Sequence, residues 1–247
     1  MKRRNPRRES NSRVATLGLL ALASCGGEPS RTAPVTPLPS VTAPAEASDA
    51  ILVLDMSGSM NALTDDGART RLAAAKDLVV DVLRASRRRR VGVVVFGMDA
   101  KLLAAPALEH EPAVAAVQAA KLGATVDSED TGVGRGLALA DSALHDSHGA
   151  IVVVTDGSTT RLEGQSHDID AFGAARTVAA HRHVVWIAQI AEHERARMQD
   201  GVDMFNRPHF VDRDFPIDRE LMSAIAKTTG GAVLVRPTAI ALVHLLR

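Results

Sequence analysis

The chain has 247 residues, with 29 Lys and Arg against 29 Asp and Glu, so its formal net charge is zero. With 46% hydrophobic and 23% charged residues it has ordinary globular usage, which excludes disorder along its whole length. A single Cys excludes a disulfide scaffold and a Cys-built zinc site. Five Phe, one Trp and no Tyr give too few rings for base-stacking modules, so no nucleic-acid partner is expected.

The zero hides an asymmetry. Six basic residues and one acidic residue fall in residues 1–24, leaving 23 basic and 28 acidic residues beyond them. Those first residues read as a secretory signal: Lys2, Arg3, Arg4, Arg7 and Arg8 precede an apolar run from Val14 to Ala23. The run is about half the ~20 residues that a membrane-spanning helix needs. The junction Leu22-Ala23-Ser24-Cys25 resembles a bacterial lipobox, which implies cleavage before Cys25 and lipidation of its thiol. Residues 25–48 hold five prolines among Ser, Thr and Ala, a composition that forms no packed core and favours extended polyproline II. They read as a tether, with a folded domain over residues 49–247.

From residue 50 the pattern alternates. Ile51–Leu54 is a short apolar run of the kind found in buried parallel strands, and it ends at Asp55. Apolar residues at Leu72, Ala75, Leu78, Val79, Val82 and Leu83 give Arg69–Ser86 a helical period. Val91–Phe96 is a second buried strand and Lys101–Leu103 a short edge strand. Pro112–Lys121 and Gly134–Leu144 are helices. Ala150–Val154 is a third buried strand, leading into Thr155-Asp156-Gly157. Asp168–His181 is helical, Val184–Ile190 a strand, Asp218–Thr228 a helix closed by Gly230 and Gly231, Ala232–Val235 a strand and Thr238–Leu246 a helix. Such alternation predicts an α/β, Rossmann-like doubly wound fold, with a mostly parallel central sheet and helices on both faces. Ligands in such sheets sit beyond the carboxyl ends of the strands, where the strand order reverses. Two strand ends here finish in acidic residues, Asp55 and Asp156.

After the first strand, Asp55, Ser57 and Ser59 alternate, so three oxygen-bearing side chains can turn toward one point. Hard divalent cations prefer such oxygen donors. Thr131, before a helix, and Asp156, at the third strand end, complete a pattern that resembles the von Willebrand factor A (VWA) family and its metal-ion-dependent adhesion site. The resemblance spans about residues 50–247. It implies that Ser57 and Ser59 coordinate the metal directly, Thr131 directly or through water, and Asp55 and Asp156 mostly through waters. It also implies a coordination position left for an Asp or Glu of a partner protein. The cation is expected to be Mg²⁺, with Mn²⁺ and Ca²⁺ as alternatives.

A narrower resemblance links Arg90–Phe96, Phe215–Leu221 and Thr229–Ala232 to the bacterial Bat (aerotolerance) group, envelope proteins often paired with MoxR-type ATPases. The expected function is therefore a lipid-anchored, metal-dependent adhesion or scaffold module of the bacterial envelope, with the outer membrane or periplasmic face favoured if the cell is Gram-negative. The alternative is an accessory subunit of a MoxR-type or chelatase AAA+ ATPase. Relatives often carry an acidic residue where this chain has Arg135, and Gly where it has Glu129 and Asp130. The chain shows no G-x-S-x-G elbow and no phosphate-binding glycine loop. Ser57 stands where a haloacid dehalogenase-type phosphatase needs a second Asp. No enzymatic activity is expected. The histidines show no metal-ligand spacing, and Arg87–Arg90 reads as a solvated junction.

Overall fold

The computed structural model of the chain describes residues 49–129, 131–144, 148–159 and 171–246. The signal segment, Cys25, the tether, Asp130 and the start of the helix expected at Asp168 lie outside them.

Strand β1 (Ala50–Asp55) is buried along its whole length, as its unbroken aliphatic sequence demands. A single 3₁₀ turn (Gly58–Asn61) leads to helix α1 (Arg71–Ala85), where the Thr70 side chain caps the first turn by accepting from the Ala73 amide at 3.2 Å. Strands β2 (Val91–Phe96) and β3 (Ala100–Ala107) follow, then α2 (Glu111–Ala119), α3 (Val133–Ala143), β4 (Ala150–Thr155), α4 (Ala171–Ala180) and β5 (Val184–Gln189). A hairpin of β6 (Arg195–Val202) and β7 (Pro208–Asp214) precedes α5 (Arg219–Thr228), β8 (Val233–Val235) and α6 (Ala239–Leu245). Helices α5 and α6 begin at Asp218 and Thr238, which accept from the Leu221 and Ala241 amides.

Six strands form one sheet in the order β3-β2-β1-β4-β5-β8, parallel throughout except for antiparallel β3. Strand parity sends the sheet's residues into two cores. Leu52 and Leu54 meet Val79, Leu83, Val117 and Leu242 from α1, α2 and α6. Ile51 and Val53 meet Leu137, Val178, Met222 and Ile225 from α3, α4 and α5. The doubly wound expectation is met. From β1 the chain moves outward to β2, and from β4 outward the other way to β5, so the order reverses between β1 and β4. Asp55 and Asp156 lie at that reversal.

Two expectations needed correction. The edge strand expected over Lys101–Leu103 runs eight residues, because pairing with buried β2 carries it to Ala107. The β6–β7 hairpin was not foreseen. Both its strands are largely exposed, so they lack the one-sided apolar alternation that marks a strand on a core. Cross-strand pairs hold it instead, including Arg195 with Asp212 at 3.6 Å, Arg213 with Asp200 at 3.5 Å, and Arg197 stacked 5.1 Å from the Phe210 ring centroid. Among the described residues no helix is long and apolar enough to cross a membrane.

Candidate functional site

The chain after β1 turns sharply because Asp55 folds back on it. The Ser57 amide donates to Asp55 Oδ1 at 2.8 Å, an Asx-type turn. The other carboxylate oxygen accepts from the Thr155 hydroxyl at 2.5 Å, and that hydroxyl accepts from the Gly157 amide at 2.9 Å. The turn puts the Ser57 and Ser59 hydroxyl oxygens 3.2 Å apart. Asp55, Ser57 and Asp156 are all buried, and Ser59 is partly exposed.

Asp156 is bound in two directions. Its Oδ1 accepts from the Ser158 amide at 2.9 Å, and its Oδ2 from Arg71 Nη1 at 2.7 Å. Arg71 has no solvent exposure, although it opens a helix. Its Nη2 donates to the His193 carbonyl at 3.0 Å, and its guanidinium lies 5.2 Å from the centroid of the Phe215 ring. Gly157 follows with a φ of 78°, in the left-handed region that suits glycine, and its added Cβ would meet Ile217 at 3.0 Å.

Thr131 arrives on a third loop. The Gly58 amide donates to the Ser128 carbonyl at 2.8 Å, the Met98 amide to Asp127 at 2.7 Å and the Gly132 amide to Gly97 at 2.6 Å. These bonds stitch the loop carrying buried Thr131 to the turn after β1 and to the end of β2. Gly97 is needed there, because a Cβ would lie 2.0 Å from the Asp127 carbonyl oxygen. Arg135 donates to the Met98 carbonyl at 2.6 Å, so it clamps the loop. Glu129 is exposed, and its amide bonds to Asp127 at 3.0 Å.

The electrostatics are those of a buried acidic site. Burial, followed by the nearby charge of Asp156, raises the Asp55 carboxyl from 3.8 to about 7, and the hydrogen bonds from Thr155 and Ser57 only partly offset this. Two carboxylates face one buried cation, Arg71. The two carboxyl groups, with two hydroxyls and a threonine on adjoining loops, are an oxygen donor set that fits a hard divalent cation. Sequence reasoning missed Arg71, because a lone arginine at a helix start is ordinarily solvated. It also missed Thr155. The one available signal was a polar residue inside an otherwise aliphatic strand end.

The histidines group where spacing gave no hint. Asp141, His181 and His183 bring potential ligand atoms within 4.8 Å of one another. Yet the Gly149 amide donates to His183 Nδ1 at 2.9 Å. An amide has only a proton to offer, so Nδ1 accepts and Nε2 keeps the ring proton, turned toward Asp141 at 3.7 Å. That removes His183 as a ligand. Asp65, Glu192 and His193 form a second group, all exposed, in which the Glu192 amide already donates to one Asp65 oxygen.

The fold is a doubly wound, Rossmann-like one, similar to that of VWA domains. Residues 50–158 match the family model of the von Willebrand factor type A domain. No curated protein matches the chain. Similar solved structures include an aerotolerance-related membrane protein from Bacteroides fragilis, 20% identical with a TM-score of 0.64, over 81% of this chain and 96% of that one. BatB from Bacteroides thetaiotaomicron is 22% identical with a TM-score of 0.63, over 81% and 95%. The pilus adhesin SpaC from Lactobacillus rhamnosus GG is 16% identical with a TM-score of 0.54, over 83% of this chain and 29% of that one. At these identities the likeness is one of fold.

Proposed function

We propose that the domain is a non-enzymatic binding module that captures an acidic side chain of a partner protein through a divalent cation, most simply Mg²⁺. Asp55, Ser57, Ser59, Thr131 and Asp156 would hold the ion. Bound there, it supplies a Lewis-acid position for an incoming Asp or Glu carboxylate. The observation that carries this reading is the meeting of Asp55, with its two serines, and Asp156 at the ends of adjacent strands, two buried carboxyl groups against the one cation of Arg71.

The chain's own groups do the positioning. Thr155 fixes one Asp55 oxygen and the Ser57 amide the other, so the serine hydroxyls are presented without a conformational search. Arg71 orients Asp156 and offsets its charge, which leaves the site less repulsive to an acidic partner. The structural likeness to an aerotolerance-related membrane protein and to a pilus adhesin supports an adhesion or scaffold role in the envelope. Anchoring through a lipid on Cys25 completes the proposal. Titration calorimetry of Mg²⁺ into the protein and its Ser57→Ala variant tests the site. Saturable binding lost in the variant is expected, and equal binding by both overturns it. Capture of envelope proteins that survives excess EDTA would overturn the metal-dependent mechanism.

A further inference from the structure

The end of the sheet opposite this site is basic. Ala50, Val91, Ala150 and Val184 pair in register, so the residues before each of them gather at one end. The Ala50 amide donates to the Arg90 carbonyl, the Ala150 amide to Asp49 and the Val184 amide to Gly149, which lines up these loops side by side. Among the described residues there, Arg84, Arg87, Arg88, Arg90, Arg182 and Lys227 are exposed cations. Among the described residues, the exposed anions at that end are Glu109 and Glu111, beside Leu108. Asp49 and Asp141 are buried, one 3.5 Å from Arg90 and the other bound by His181 at 2.9 Å. His148 and His181 are also exposed there. The opposite end exposes Asp65, Asp66, Asp99, Asp127 and Glu129, together with Arg69, Lys101 and Arg135.

A cavity of about 370 Å³ opens within the basic end, where α1 and α6 finish. Ser86, Arg87, Arg88 and Arg89 give it polar walls, and Val243 and Leu246 apolar ones. Its mix of guanidinium and aliphatic surface suits a phosphate carried on a hydrocarbon. The described chain also begins here, at Asp49, directly after the segment read as a tether.

We infer that this basic end docks the domain on a bilayer surface rich in anionic phospholipid, with the acidic site facing away from the membrane. A cluster of four to eight Lys and Arg beside a membrane anchor is sufficient for such attraction, each contributing about a five-fold gain in binding. The tether of ~24 residues, at about 3.1 Å each when extended, allows the domain either to lie on the surface or to stand ~75 Å from it. Docking therefore selects between two heights of the same binding site. The inference rests on the proposed lipid anchor, and its test separates the two.

The mature lipoprotein is inserted into vesicles of phosphatidylcholine, alone or with phosphatidylglycerol. It carries a donor dye on a Glu111→Cys substitution, and the vesicles carry an acceptor dye on their headgroups. Co-sedimentation with neutral vesicles reads the anchor alone. Energy transfer reads docking. Transfer that rises with phosphatidylglycerol and falls away in about 1 M salt, where the screening length is ~3 Å, is expected. The exposed-face variant Arg84→Gln/Arg87→Gln/Arg88→Gln should shift the docking equilibrium about 100-fold toward the free domain. Equal transfer in neutral and anionic vesicles, or no change in the triple variant, overturns the inference. So does displacement by duplex DNA at matched phosphate concentration, which would assign the face to nucleic acid instead.

Discussion

Arg71 and Asp156 meet at 2.7 Å with neither side chain exposed to solvent, so an ion pair far inside the protein also forms one wall of the candidate site. Removing one partner of such a pair strands the other charge in a poor solvent. Arg71→Met should therefore cost about 3–5 kcal/mol of stability, read by urea denaturation. Arg71→Lys should recover part of this, because an ammonium can still reach Asp156 but cannot also span to the His193 carbonyl in a fixed fork. A loss below ~1 kcal/mol in Arg71→Met would show that the pair is dispensable.

The proposed ion predicts its own thermal signature. A ligand that binds only the folded state stabilises it, by about 2.7 kcal/mol at a hundred times its dissociation constant. The midpoint of thermal unfolding should rise with Mg²⁺, return on adding EDTA, and stay unmoved in Asp55→Ala or Ser57→Ala. Scanning calorimetry across a Mg²⁺ series makes the measurement. A Mg²⁺-dependent rise that persists in both variants would place the ion elsewhere.

Much of this arrangement was legible in the sequence. The buried strands announced themselves because both of their faces are covered, so every position is aliphatic. The meeting of Asp55 and Asp156 was legible because the fold class places strand ends at the switch point. The partners of these residues were not. Arg71 lies 85 positions from Asp156 and Thr155 lies 100 from Asp55, and no local pattern encodes such contacts. The hairpin escaped for the opposite reason. It rests on exposed charge pairs and ring stacking rather than on a buried face.

His183 predicts a pH dependence outside the candidate site. Burial pushes its pKa below 6.5, opposed by Asp141 and reinforced by His181 and His148. The folded ring resists protonation, because Nδ1 already accepts from the Gly149 amide. As pH falls below about 6.5, the unfolded chain binds a proton that the folded chain refuses. Stability from this group is present at neutral pH. It declines as pH falls through the window between 6.5 and the lower folded value, at no more than about 1.4 kcal/mol per pH unit. Denaturation at pH 7.5 and at pH 5.5 should show a smaller difference for His183→Gln than for the parent. An identical difference in both would remove His183 as its source.

Gly97 links packing to the site. A Cβ there would sit 2.0 Å from the Asp127 carbonyl oxygen, which is backbone and cannot swing aside as a side chain could. The backbone at Asp127 must therefore move, and with it the Met98–Asp127 and Gly97–Gly132 hydrogen bonds that hold Thr131 near the turn after β1. Gly97→Ala should destabilise the domain by about 1–3 kcal/mol, the usual cost of forcing an extra carbon into a filled space. It should weaken Mg²⁺ binding as well, since Thr131 travels with the loop. Thr131→Ala should reduce Mg²⁺ affinity with a smaller loss of stability, because the loop keeps its backbone bonds. Calorimetric titration of both variants, set beside their denaturation curves, separates these effects. Undiminished Mg²⁺ affinity in both would take Thr131 out of the site.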